Sequence, residues 1–185
     1  CSSDLDLPCT IERVSRVPSI PGRLLSFTSA VVRGSAAADL LFVSDYGLPP
    51  ALVNQMRRLP LVIKVVGDFA WEYATRHQHI PAKMDIDAFQ SIQPTPRVTL
   101  LKLLQRGYVS AADRVIVPSN YLRSIVTGWG IPSERVEVVY NAVPLPGQQA
   151  TLDFSDRMIL TVARLAPWKG IDTLIESIAS LSSTP

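Results

Sequence analysis

The stretch Leu61-Val62-Ile63-Lys64-Val65-Val66, which ends at Gly67-Asp68, is the clearest strand signal in the first half of the chain. Its apolar residues follow one another almost without interruption, which is typical of a parallel strand covered on both faces. Other short apolar blocks predict further strands at residues 39–45, 114–117, 135–140 and 158–162.

Segments with helical signals alternate with these strands. They are predicted at residues 23–33, 49–56, 97–105, 120–127 and 170–181, whereas residues 69–96 show no clear pattern. Strands that alternate with helices indicate an α/β fold with a parallel sheet.

The spacing of these elements predicts one domain and part of another. Residues 1–143 hold four strands, residues 144–150 form a linker with proline, glycine and glutamine, and residues 151–185 begin a second domain. One strand and one helix cannot cover both faces of a sheet, so this second domain is expected to be truncated. Because the chain also opens at Cys1 without a methionine, we expect an internal piece of a longer protein.

Composition narrows the class of protein without giving its function. The 185 residues carry a net charge of +2, and 47% of them are hydrophobic, which excludes disorder over most of the length. No apolar run approaches the ~18 residues of a membrane span, and the small charge argues against a nucleic-acid binder. With two cysteines, the chain has neither a disulfide framework nor a zinc set, and a reducing, cytoplasmic compartment is expected.

Ligands of open parallel sheets bind beyond the carboxyl ends of the strands. Five segments follow predicted strands in this way, at residues 44–47, 67–72, 118–120, 141–142 and 163–170. The last is the most informative, because Arg164 follows a strand and Lys169-Gly170 begin a helix. Two cations at a helix N-terminus suit a diphosphate, although on spacing alone solvated surface charges are the favoured interpretation.

Several blocks of the sequence resemble family 4 glycosyltransferases. The donor-binding strand, loop and helix of that family are similar to residues 162–165 and 168–177. The last strands of its N-terminal domain are similar to residues 114–119 and 138–143. A further block of similarity lies at residues 64–72. The chain departs from the family at Ala163, where glycine is usual. The family's N-terminal glycine-rich loop and its later Glu-x7-Glu motif are not found.

The resemblance implies a GT-B architecture, in which two Rossmann-like domains face each other across the active site. This chain would supply the N-terminal domain and the first strand and helix of the second. The implied reaction moves a sugar from a nucleotide-diphosphate-sugar donor to a glycan or lipid-linked acceptor with retention, as in polysaccharide biosynthesis, and needs no metal or other cofactor. Arg164, Lys169 and Gly170 would bind the donor diphosphate. The isolated piece is expected to be inactive.

The acceptor side is expected near the end of the strand at residues 61–66. Asp68 could orient an acceptor hydroxyl or stabilise positive charge on the sugar, Trp71 could stack on a sugar face, and Glu72 could bind hydroxyls. The alternative is that Asp68 caps a turn and Trp71 fills the core. Ser119 could bind an acceptor phosphate, but an N-cap alone explains it and is the favoured interpretation.

A histidine pair and a basic, leucine-rich helix are two further candidate sites. His77 and His79 lack the cysteine or carboxylate that would complete a metal site. Residues 97–135 carry six basic and two acidic side chains, and Leu100, Leu101, Leu103 and Leu104 give the first helix of this stretch an apolar face. Such a helix can lie on an anionic surface, such as the inner face of a membrane, although an ordinary helix packed on the core is the favoured interpretation.

Two alternatives to an active transferase remain open. One is a non-catalytic nucleotide-sugar-binding subunit. The family's acidic pair, which this chain lacks, would favour the enzyme if the longer protein contains it and the subunit if it does not. The other is a sugar-nucleotide epimerase of similar fold, which would act without an acceptor.

Overall fold

Four parallel strands form the sheet of the computed structural model, which describes residues 9–15, 19–143, 159–166 and 169–182. The strands are β1 (Leu41–Ser44), β2 (Leu61–Lys64), β3 (Arg114–Val117) and β4 (Val136–Val138), and they lie in the order β1-β2-β3-β4. One row of paired residues runs across the sheet through Val43, Ile63, Val115 and Val136. The α/β prediction is confirmed.

Helices connect the strands, as the parallel direction requires. They are α1 (Ile20–Gly34), α2 (Leu48–Arg57), α3 (Phe69–Arg76), α4 (Ile86–Ser91), α5 (Pro96–Ser110), α6 (Asn120–Gly128) and α7 (Ile171–Ser182). Short 3₁₀ turns lie at Ser35–Ala37 and Ser133–Arg135. The helices α3 and α4 occupy the region in which the sequence shows no pattern, because eight and six residues are too few to display a clear helical period.

The chain divides into two units. The first comprises Cys1–Gly67 and Lys102–Val139 and contains the sheet, and the second comprises Asp68–Leu101 and Tyr140–Pro185. The predicted linker at residues 144–150 lies outside the described residues, so the predicted domain boundary stays a prediction.

The core of the first unit is built on β2 and β3. Leu61, Ile63, Val115 and Val117 are completely buried. A reciprocal pair of hydrogen bonds fixes where these strands start: Leu61 N–H donates to Asp113 Oδ2 at 2.7 Å, and Asp113 N–H donates to the Leu61 carbonyl at 2.8 Å.

Strand β1 is less buried than the sequence predicts. Its residues alternate between half-buried and exposed, and Phe42 is 58% exposed. The cause is its position at the edge of the four-stranded sheet, where only β2 flanks it.

The second unit has its own apolar cluster. Its buried members are Ala70, Ala74, Ile80, Phe89 and Val98, against which Trp71, Met84, Ile92 and Leu101 pack. This cluster joins α3, α4 and the start of α5.

The prediction of a strand at residues 158–162 is wrong for residues 159–162, which are the part that the structure describes. Residues 159–164 are irregular, and Leu160 and Val162 are 79% and 89% exposed. A strand requires a hydrogen-bonded neighbour, and none of the described segments pairs with this one. The helix that follows, α7, confirms the helix predicted at residues 170–181.

Across the described ranges, no helix is both long and apolar enough to cross a membrane.

Gly47 shows how closely the loop after β1 packs. A Cβ atom at this buried position would lie 2.5 Å from Cδ2 of Tyr108 and 3.1 Å from Cδ1 of Ile63. We therefore expect Gly47→Ala to lower the free energy of unfolding by about 1–3 kcal/mol, measured by urea denaturation. Gly107→Ala is the control, since its Cβ enters open space on α5 and should raise stability by up to about 1 kcal/mol. Equal stability of the Gly47 variant and the wild type would contradict this packing.

Candidate functional site

Asp68 follows β2 and begins α3. It is 2% exposed, and both of its carboxylate oxygens are bonded: Oδ1 accepts from Trp71 N–H at 3.0 Å, and Oδ2 accepts from Gln90 Nε2 at 2.8 Å. Its extended backbone and bonded side chain make it the N-cap of α3. The capping interpretation of Asp68 is thus confirmed, and any contact with an acceptor would come in addition to it.

Trp71 and Glu72 lie in the first turn of α3. The Trp71 indole Nε1 donates to the Met84 carbonyl at 3.0 Å, and the ring packs against the apolar cluster of the second unit. Glu72 is half-buried, and its charge at a helix N-terminus complements the helix dipole. Asp68, Trp71 and Glu72 therefore form one local group, held together by the start of α3.

Ser119 caps a different helix, in the first unit. Its Oγ accepts from Leu122 N–H at 3.1 Å, and its backbone is extended, so it is the N-cap of α6 as the sequence predicts. The cap accounts for one of the N–H groups that a helix leaves unpaired at its start.

Arg164, Lys169 and Gly170 lie in the described residues before α7. Both basic side chains are exposed, and Lys169 N–H donates to the Ala166 carbonyl at 2.9 Å. Gly170 has a φ of 62°, which favours glycine, and its carbonyl accepts from Leu174 N–H at 3.0 Å. The chain thus turns sharply into α7, and within the described part of the second unit no hydrogen bond or ion pair links Arg164 or Lys169 to Asp68.

His77 and His79 form a ring stack with Tyr73 rather than a metal site. The Tyr73 and His77 rings lie 3.9 Å apart at 19°, and His77 Nδ1 donates to the Tyr73 carbonyl at 2.9 Å. No group of three or more His, Cys, Asp or Glu side chains that could hold a metal occurs in the described residues. That the reaction needs no metal stays a prediction.

Residues 44–47 follow a predicted strand, but the sequence predicts no role for Asp45. Asp45 follows β1, has a φ of 74°, and its N–H donates to the Lys64 carbonyl at 2.9 Å. Although the residue is largely exposed, partial burial of its carboxylate raises the pKa above the ordinary value for aspartate. Its position after a strand was visible in the sequence, whereas its backbone conformation was not.

Comparison with protein families places most of the chain in a known group. The family model described as Glycosyltransferase Family 4 matches residues 8–145, which are 138 of the 185 residues. The match includes Asp68, Trp71, Glu72 and Ser119 and ends before Arg164. A comparison with curated proteins gave no match.

The cap at Asp68 makes a stability prediction. Asp68→Ala removes the acceptor of Trp71 N–H and one of the two acceptors of Gln90 Nε2, which also donates to the Ile86 carbonyl, so the free energy of unfolding should fall by about 1–3 kcal/mol. Asp68→Asn is the matched control, because its amide oxygen still caps α3 and the Gln90 amide can turn to present its oxygen. Urea denaturation should place the asparagine variant much closer to the wild type, and identical losses in both variants would count against the cap.

Proposed function

The chain belongs to glycosyltransferase family 4, and we propose that it forms part of a longer GT-B enzyme that transfers a sugar from a nucleotide-diphosphate-sugar to an acceptor hydroxyl with retention. The observation that carries the proposal is the family match over three quarters of the chain, on a parallel sheet whose strand ends carry polar loops. In this proposal the acceptor is a glycan or a lipid-linked sugar, no metal takes part, and the enzyme works in the cytoplasm.

The donor side of the proposal rests on the turn before α7. Arg164 offers a guanidinium fork that can bind two phosphate oxygens, and Lys169 offers a compact charge five residues later. The unpaired N–H groups at the start of the twelve-residue helix α7 favour the same anion. The exposure of both side chains leaves them accessible to a ligand.

The acceptor side is assigned to Asp68, Trp71 and Glu72 in the second unit, and Ser119, at the start of α6 in the first unit, is a separate candidate for binding an acceptor phosphate. Asp68 fixes the first turn of α3, which orients Trp71 and Glu72 from a buried anchor. Trp71 is partly exposed, and Glu72 is half-buried, so each retains surface that an acceptor can contact.

The donor assignment predicts a loss of binding. In the full-length enzyme, Arg164→Ala and Lys169→Ala should each weaken the affinity for the nucleotide-sugar by about 10- to 100-fold, because each removes a charge-assisted contact to phosphate. Isothermal titration with UDP-, GDP- and ADP-linked hexoses first selects the donor and then compares the variants. Arg13→Ala and Lys83→Ala are the controls, since both side chains are exposed charges outside the proposed site. Wild-type affinity in both site variants would contradict the assignment.

We also propose that α5 contacts an anionic membrane surface. Its exposed stripe consists of Leu100, Leu103 and Leu104, at 57%, 59% and 40%, whereas Val98 and Val109 turn inward and are completely buried. Of the basic residues on this helix, Arg97 is exposed, and Lys102 and Arg106 are partly exposed. One side of the helix therefore packs on the core, while another presents leucine and positive charge that would suit an anionic surface.

The membrane contact predicts vesicle binding. The double variant Leu100→Ser with Leu103→Ser should reduce cosedimentation with phosphatidylglycerol vesicles about tenfold, because the buried apolar area is lost. Met56→Ser, at another highly exposed apolar position, is the control and should bind as the wild type does. Equal binding to neutral phosphatidylcholine vesicles would exclude the electrostatic part, and unchanged binding of the double variant would exclude the leucine stripe.

A further inference from the structure

We draw no further inference here: the strongest candidate, the apolar cavity of about 300 Å³ that residues of α1 and of the edge strand β1 line, carries no proposal, because nothing in the structure shows what covers it.

Discussion

Burial of the two central strands, β2 and β3, is the constraint on which the rest of the first unit depends. Leu61, Ile63, Val115 and Val117 are withdrawn completely from water, and parallel pairing fixes their register. The paired hydrogen bonds between Asp113 and Leu61 set the amino ends of both strands at the same level. The loops that follow strands of this sheet therefore emerge at one edge, which is the edge used for ligands in folds of this class.

Two aspartates that follow neighbouring strands have opposite environments. Asp68 is buried, and its two carboxylate oxygens accept hydrogen bonds from Trp71 N–H and Gln90 Nε2, so both oxygens are satisfied within the protein. Asp45 is more exposed, and its carboxylate, which is partly desolvated, has no hydrogen bond or ion pair among the described residues. The same type of side chain thus caps a helix in one loop and forms no hydrogen bond in the other.

The sequence predicted the elements whose signals are local. Strand β3 occupies the predicted residues 114–117, and Ser119 caps α6, because a short apolar block and an N-cap are both readable from neighbouring residues. The exposure of Phe42 was not predictable, since the edge position of β1 depends on which strands pair. For the same reason, the apolar run from residue 159 to 162 could not be recognised as irregular.

The features of the candidate site also differ in whether neighbouring residues reveal them. Asp68, Trp71 and Glu72 were found because they follow a clear strand, whereas the hydrogen bond from Asp45 N–H to the Lys64 carbonyl and the close approach of Gly47 to Tyr108 were not predicted. Neither contact can be read from the spacing of residues. The family match covers residues 8–145, whereas the proposed donor turn before α7 lies beyond the match and rests on the chemistry of its own residues.

Mass-spectrometric analysis of the reaction products tests the central claim most directly. The full-length enzyme, incubated with a nucleotide-sugar panel and a sugar acceptor, should release nucleoside diphosphate in equal amount to a product heavier than the acceptor by one glycosyl residue. Binding of a nucleotide-sugar that is never cleaved would contradict the account and favour a non-catalytic subunit. Conversion of the donor to an isomeric nucleotide-sugar without any acceptor would contradict it as well and would favour an epimerase.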